Sequence, residues 1–384
     1  MTSGSPLAAR TTPVKPPSIE RGVVHVFFAY DVGLSIELTA CQQHISDMTE
    51  LAHIKHKGHA PQYFQFDPPP LRVTQEIAPL EIGSFRTSST ADMVLYDFGG
   101  ASVRYTIPFR GSFDELIDLS VRLSASAALS DDSRQRVAHV LAVIEGAVLK
   151  PGIASVSEDY IVFEIDEFDT DISPGDLAQR FADSLARLLR SEMDALSEQE
   201  VSDALSNRVS FGAADVAIID WNAALLYDRE PEDVLTVLEF ANIQLLEVRF
   251  LDSQLDKSLD RAYEGMNIPR SWKQRRLPSD ARAYLKNVAQ MQVDGAILFE
   301  RVSNALKLLG DQYLARVYRS ASQRYRLNEW NAGILRKLET IDSIYQKVHD
   351  QSTGVRMELM EWIVIVLIAV ELLLSLVTAF GPRP

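Results

Sequence analysis

The sequence predicts an α+β head domain with a small, mostly antiparallel sheet, then a long α-helical hairpin or coiled-coil stalk, and one C-terminal transmembrane helix. Strand-like and helix-like runs alternate up to residue 230. Helical spacing of apolar residues takes over from Pro231, and residues 362–380 carry a single charge. The predicted divisions are a flexible N-terminal tail (1–21), the head (22–230), the stalk (231–358, with a linker at 266–280) and the anchor (359–380).

Charge and cysteine content limit the functional classes. The chain has 384 residues with 53 acidic and 38 basic side chains, a net charge of −15. This balance disfavours non-specific nucleic-acid binding by the chain as a whole. Cys41 is the single cysteine, so an internal disulfide and a cysteine-ligated zinc site are both excluded.

Within the head, each element has its own signal. Residues 22–30 form an apolar run rich in β-formers, which predicts a buried strand. Gly99 and Gly100 join two extended runs and can form a two-residue hairpin turn. Ser173 followed by Pro174 marks the start of a helix. Further strands are expected at 71–77, 91–98, 101–109, 158–168 and 215–228, and further helices at 113–129 and 131–149.

The stalk is predicted to be entirely helical. One helix of about thirty residues follows Pro231, another spans 281–309, and the last runs from Asp311 to the terminus. Positions counted alternately four and three residues onward from Ile334 are apolar as far as Phe380, except for Ser352. They form a stripe along one side of the helix. The stripe predicts either self-association or packing against the chain's own helix at 281–309.

The C-terminal residues have the length and composition of a membrane span. Nineteen or twenty largely apolar residues match a hydrocarbon core of about 30 Å, and the segment is apolar on all sides. Glu371 opposes insertion by about 2.5 to 3.5 kcal/mol, which the Leu, Ile and Val residues offset. The predicted membrane and assembly residues are Glu361, Trp362, Val366, Ala369, Glu371, Leu373 and Leu376.

The region before the predicted anchor is basic. Residues 270–358 contain sixteen Lys plus Arg and nine Asp plus Glu, a net charge of +7. This asymmetry places the bulk of the chain on the cytoplasmic or matrix side. The densest cluster is a candidate site for anionic lipid or for RNA phosphates, with a solvated linker as the alternative. It consists of Arg270, Trp272, Lys273, Arg275 and Arg276.

Recognised catalytic and nucleotide-binding motifs are absent from the sequence. His53, His56 and His59 could bind zinc or nickel if they came together, but Gly58 and Pro61 indicate a polar loop. Asp220-Trp221-Asn222 follows an apolar run and is either a catalytic strand end or a structured turn. We therefore predict no catalytic residue, no cofactor and no enzymatic activity.

The C-terminal residues resemble a known family. MEWIVIVLIAVEL (360–372) is similar to the terminal signature of the "required for meiotic nuclear division" family, with Glu361, Trp362 and Glu371 at signature positions and Met360 in place of Leu. The preceding long helix is similar in layout. The resemblance implies a membrane-anchored, non-enzymatic, oligomeric protein, whose mitochondrial relatives lie at the inner membrane and support translation.

Together these observations predict a tail-anchored, self-associating membrane scaffold or tether. Its expected partners are the membrane, further copies of the chain through stalk and span, and an anionic lipid or the ribosome, with no small-molecule substrate. The expected location is the bacterial inner membrane with the bulk of the chain cytoplasmic, or the mitochondrial inner membrane with a matrix head. Alternative functions are a ribosome or RNA tether and a metal-dependent hydrolase or nuclease that uses the His cluster within residues 41–59.

Overall fold

The computed structural model describes residues 16–49, 54–56, 68–266, 290, 293, 311–344, 364–365 and 368. Contacts divide the chain into two units. The first comprises residues 1–251 and 294–331, and the second comprises residues 252–293 and 332–384.

The first unit is built on a large mixed sheet. Nine described strands follow the order β11-β12-β13-β10-β1-β8-β7-β4-β3. β10 and β13 are parallel, and the other neighbours are antiparallel. The described strands are β1 (Ile19–Asp31), β2 (Ser35–Ile36), β3 (Ile54–His56), β4 (Leu71–Glu76), β5 (Glu81–Ile82), β6 (Phe85–Arg86), β7 (Thr90–Leu95), β8 (Gly100–Gly111), β9 (Val148–Leu149), β10 (Ser157–Phe168), β11 (Arg208–Val209), β12 (Val216–Ile219) and β13 (Ala223–Tyr227).

Helices lie on both faces of this sheet. The described helices are α1 (Leu38–Thr49), α2 (Phe113–Ser124), α3 (Ala127–Ile144), α4 (Pro174–Arg180), α5 (Ala182–Arg190), α6 (Glu198–Ala204), α7 (Glu232–Met266), α8 (Gln312–Arg324) and α9, whose described helical residues are 327–344. A single 3₁₀ turn, Glu145–Ala147, follows α3.

Neighbouring side chains of one strand show which helices cover which face. On β8, Tyr105 donates its hydroxyl to Asp132 of α3, whereas Arg104 pairs with Glu232 of α7. Because side chains alternate along a strand, α3 and α7 lie on opposite faces. α2, α3 and α5 cover an apolar face that includes Phe28, and α7 covers the other.

α7 is the longest described helix, with 35 residues. Residues 234–244 are buried at every position, whereas a surface helix would expose a polar face. The sequence predicted an amphipathic helix here. Several of its polar residues, Glu239, Asn242 and Glu247 among them, are instead buried.

The second unit contains the end of α7 and most of α9. Lys337 Nζ of α9 lies 2.7 Å from Asp252 Oδ1 and 2.7 Å from Asp256 Oδ1 of α7. Ile334 and Ile341, the start of the predicted heptad stripe, are buried in this unit. Leu338, the stripe residue between them, is partly exposed.

Two parts of the predicted fold class are wrong. The sheet is large and mixed rather than small, because β12 and β13 extend it beyond β10 through a parallel pairing. The transmembrane helix is not found, since none of the helices in the described residues combines the length and apolar character that crossing a bilayer requires. Of the predicted anchor (359–380), the structure describes Val364, Ile365 and Ile368, which are about half exposed, and the rest lies outside the described residues.

Candidate functional site

A row of polar side chains crosses five adjacent strands on the face covered by α7. Cross-strand register aligns them, since Arg104 lies opposite Asp92 and Asp92 lies opposite Thr74. We name these side chains, together with those of α7 that contact them, the polar layer. Its members are His25, Arg72, Thr74, Asp92, Arg104 and Glu164 on the sheet and Glu232, Thr236 and Glu239 on α7.

Arg104 joins the two sides of the polar layer. Its guanidinium lies 3.1 Å from Asp92 Oδ2 on the sheet and 3.1 Å from Glu232 Oε2 on α7. Burial favours loss of the Arg104 charge, but Glu232, Glu239 and Asp92 outweigh it and raise the pKa of Arg104. Burial likewise opposes the charge of Glu232, yet Arg104 lowers the pKa of that carboxyl below its ordinary value. Both groups therefore stay ionised.

Arg72 makes a second link across the polar layer. Its NH2 group donates to Thr236 Oγ1 at 3.2 Å and lies 4.0 Å from Glu239 Oε2. Glu239 is buried, and its Oε1 atom has no hydrogen-bond partner. The polar layer thus attaches the first turns of α7 to the sheet through charge pairs, and Glu239 Oε1 is left without a hydrogen-bond partner.

His25 and Glu164 form a close pair at one end of the row. His25 Nε2 lies 2.7 Å from Glu164 Oε2, and both side chains are largely buried. His25 Nδ1 is buried without a hydrogen-bond partner. In the neutral tautomer that donates from Nε2, the lone pair is on Nδ1. This arrangement can orient an imidazole for proton transfer.

A second polar contact joins α7 to the end of β1. The carboxyl groups of Asp31 and Glu247 lie close enough for each to affect the pKa of the other. Burial raises the pKa of Asp31 to about 7. Burial and the neighbouring Asp31 also raise the pKa of Glu247 well above its ordinary value.

A third cluster surrounds Asp220, which directly follows β12 and is fully buried. Its Oδ2 atom lies 2.6 Å from Arg190 Nε, and its Oδ1 atom lies 2.7 Å from Arg324 NH2. Asp203 contacts both arginines from the solvent side. Tyr160 donates its hydroxyl to the backbone oxygen of Asp220. The Asp220-Trp221-Asn222 segment is therefore a turn held by buried ion pairs.

Exposed aromatic side chains lie around the β11–β12 end of the sheet. Phe211 is 76% exposed, and its ring centroid lies 5.5 Å from that of Tyr313 on α8. Trp221 is 53% exposed and lies over the Arg190 guanidinium. Met193 is also exposed, and its backbone oxygen accepts from Arg187. We name Phe211, Tyr313, Trp221 and Met193 the aromatic edge.

Most of the sites predicted from sequence lie outside the described residues. These include His53 and His59, the basic cluster Arg270, Trp272, Lys273, Arg275 and Arg276, and the assembly residues Glu361, Trp362, Val366, Ala369, Glu371, Leu373 and Leu376. Of His56, the backbone is described, in β3. Among the described residues, no group of three or more His, Cys, Asp or Glu side chains is arranged to hold a metal ion.

Sequence reasoning missed the polar layer and the Asp31–Glu247 pair. The signal was present as single charged residues inside apolar strands, such as His25 in GVVHVFF and Arg104 in ASVRYTI. An isolated charge in a buried strand is costly unless it is paired, so each such residue indicates a partner. The partners come from distant strands and from α7, and strand pairing alone brings them together.

Comparison with known proteins gives a family. Residues 21–233, more than half of the chain, match the family described as "Uncharacterized protein MJ0711, N-terminal domain". Uncharacterized protein MJ0711 of Methanocaldococcus jannaschii is 24% identical over 225 residues, which cover 57% of this chain and 66% of that protein. The chain thus spans just under two thirds of its relative's length. No solved structure matches.

These findings correct four predictions. The resemblance to the "required for meiotic nuclear division" family is wrong, because the matching family is a different one. The predicted function as a tail-anchored membrane scaffold or tether is also wrong. The single-pass membrane location and the description of the chain as a transmembrane protein with a tail anchor are wrong as well. They required a spanning helix, and the described part of the chain contains no such helix.

Proposed function

This chain belongs to the family of the N-terminal domain of the uncharacterized protein MJ0711, and we propose that it is a non-enzymatic protein that works as a self-associated assembly. The observation that carries the proposal is the aromatic edge, where Phe211 is 76% exposed and Trp221 is 53% exposed. Large aromatic side chains left in water cost free energy that a partner surface recovers.

The composition of the aromatic edge supports a protein partner. Trp, Tyr, Phe, Met and Arg are the residues enriched at protein interfaces, and Trp, Tyr and Arg dominate their energetic centres. Trp221 lies over Arg190, and Tyr313 lies beside Arg316. Because these arginines are held in place by cation–π contacts, less side-chain entropy is lost when a partner covers them.

The charges around the aromatic edge support a second copy of this chain as the partner. Charges of both signs lie around the edge: Arg190, Arg208, Arg316 and Arg324, and the acids Glu200, Asp203, Asp215, Asp220, Asp228 and Asp311. The whole chain has a net charge of −15, which makes most other faces repel each other. A surface that carries charges of both signs can be complementary to itself, as a two-fold interface requires.

The strand order supplies a further argument. β11 pairs with β12 alone among the described strands, so it is an edge strand. Its two residues are too few to form a long backbone interface. We therefore expect side chains of the aromatic edge, rather than strand pairing, to supply most of the binding energy.

The absence of catalysis is part of the proposal. The ionisable side chains of the polar layer are engaged chiefly with one another, which is the arrangement of a structural network. The predicted association of the basic cluster with a ribosome or anionic lipid stays a prediction.

The test is sedimentation velocity of the full chain over a range of concentrations. Wild type is expected to form a dimer whose fraction rises with concentration. The double variant Phe211→Ala/Trp221→Ala is expected to be monomeric, because truncation of a central aromatic residue typically costs about 2 kcal/mol or more of binding free energy.

The matched control is Leu149→Ala/Leu335→Ala, which removes two exposed apolar side chains elsewhere. It is expected to dimerise like wild type. A wild-type chain that stays monomeric at every concentration, or a Phe211→Ala/Trp221→Ala variant that dimerises normally, refutes the proposal.

A further inference from the structure

The loop between β11 and β12 carries the most exposed side chain of the aromatic edge. Residues 210–214 are exposed at every position, and Phe211 is 76% exposed. Surface loops are ordinarily more mobile than the strands they connect. This loop is instead held by side-chain contacts on both sides of Phe211.

Asp215 holds the loop from its C-terminal end. Its Oδ2 atom accepts from Phe211 N at 2.7 Å, and its Oδ1 atom accepts from Gly212 N at 2.5 Å. Hydrogen bonds to an ionised acceptor are roughly twice as strong as those between neutral groups. A Cβ at Gly212 would lie 3.1 Å from Asp215 Oδ1, so the carboxylate packs closely against the loop backbone. Asp215 therefore fixes the backbone at the residue whose side chain is exposed.

Helix α8 holds the same loop from the other side. Arg316 NH2 donates to Ser210 O at 3.2 Å. The Phe211 ring meets the Tyr313 ring edge to face, with their centroids 5.5 Å apart. The Arg316 guanidinium in turn lies 5.9 Å from the centroid of the Tyr313 ring. The backbone around Phe211 and one side of its ring are thus fixed, while most of the ring remains in water.

A fixed loop matters for association more than for the stability of the free chain. An apolar ring that projects into water adds no burial energy to the isolated fold. A loop that becomes ordered only in a complex loses conformational entropy on binding, and this loss weakens the complex. A loop that is already ordered avoids that cost.

We propose that Asp215 is a positioning residue for self-association: its carboxylate holds the loop so that Phe211 projects toward the second copy of the chain. This inference rests on the proposed function, because the surface that meets Phe211 is the aromatic edge of that second copy. Asp215 acts through Phe211 and requires no contact of its own with the partner. Removal of the carboxylate therefore weakens the dimer even though every aromatic residue is retained.

A double-mutant cycle on the full chain tests the proposal, with the dimer Kd measured by sedimentation velocity. Asp215→Ala is expected to raise Kd about threefold to tenfold, the cost of ordering a loop on binding. Phe211→Ala retains Trp221, so a weaker dimer stays measurable. In the Phe211→Ala background, Asp215→Ala is expected to leave Kd almost unchanged, because no ring remains to be positioned. A merely structural role of Asp215 would change Kd equally in both backgrounds.

Asp228→Ala is the matched control for the lost charge. Besides burial, Asp215 and Asp228 both raise the pKa of Tyr313, so both carboxylates act on the same part of the edge. Asp228 Oδ1 accepts from Glu230 N, outside the loop. Its removal is expected to leave Kd close to the wild-type value.

Asp215→Asn retains one acceptor oxygen, is expected to raise Kd by less than Asp215→Ala, and replaces it if the alanine variant does not fold. A dimer that Phe211→Ala weakens but Asp215→Ala does not, or equal effects of Asp215→Ala in the two backgrounds, overturns this inference and leaves the proposed function intact. A wild-type chain that never dimerises refutes the proposed function, and the role of Asp215 falls with it.

Discussion

At the residue scale, Asp220 shows how a buried charge is retained. It has no solvent exposure and lies between Arg190 and Arg324. Burial raises the pKa of Asp220, while the two arginines act in the opposite direction. A buried ion pair adds little net stability by itself, because desolvation offsets attraction, but removing one partner leaves the others uncompensated.

Asp220→Ala is therefore expected to destabilise the protein by about 3 to 5 kcal/mol, because two largely buried guanidinium groups lose their common partner. The measurement is the free energy of unfolding from urea denaturation. Asp203→Ala is the matched control, since Asp203 contacts the same two arginines with its side chain 52% exposed. It is expected to cost about 0 to 1 kcal/mol. Equal losses for the two variants would contradict this account.

The residues missed from the sequence share one property. His25, Arg104 and Asp31 each sit at a position that alternation assigns to the sheet face opposite Tyr105 and Phe28. Alternation identifies which face a side chain occupies. It does not identify the covering helix, so neither Glu232 nor Glu247 could be matched to its partner beforehand.

At the element scale, helix boundaries were partly predictable because their signals are local. Ser173 caps α4 and is followed by Pro174 at the first helical position, as expected. The structure adds a complete capping box at α2. Ser112 N donates to Glu115 Oε2 at 2.7 Å, and Ser112 Oγ accepts from Glu115 N at 3.3 Å.

Ser112→Ala is expected to lower the free energy of unfolding by about 1 kcal/mol, because the first turn of α2 loses one capping acceptor. Ser126→Ala is the matched control. Ser126 is the N-cap residue of α3, but its side chain makes no capping hydrogen bond. The change in thermal or urea stability is expected to be small for the control. The capping assignment fails if both variants lose the same stability.

α7 shows where a periodicity argument stops being sufficient. The sequence predicted one helix of about thirty residues after Pro231, and α7 has 35. Its charged positions suggested a solvent-facing side. The sheet covers some of them instead, such as Glu239, which lies 4.0 Å from Arg72. A polar stripe on a helix therefore indicates polar surroundings, which another protein segment can provide as well as water.

At the scale of the whole molecule, net charge affects association. Copies that each carry −15 repel one another, and the screening length falls to about 10 Å at 0.1 M salt. Added salt screens this repulsion without weakening an apolar contact between two aromatic edges. Dimer formation is expected to strengthen from low to moderate salt in sedimentation velocity. Dissociation by salt would instead mean that ion pairs hold the copies together.

The sequence by itself determined the local features of this protein. It predicted the strand at 22–30, the helix that begins at Pro174 and the long helix after Pro231, because propensity, capping and apolar spacing act over a few residues. It also excluded an internal disulfide, since Cys41 has no cysteine partner.

The tertiary structure alone decided the size of the sheet and the position of every buried charge. The parallel pairing of β10 with β13 joins residues about sixty positions apart, and Glu247 meets Asp31 across more than two hundred residues. No local sequence pattern encodes such contacts. A buried polar group is stabilised only when its partner is buried beside it, and folding brings the two together from distant parts of the chain. The polar layer and the aromatic edge both belong to this second class.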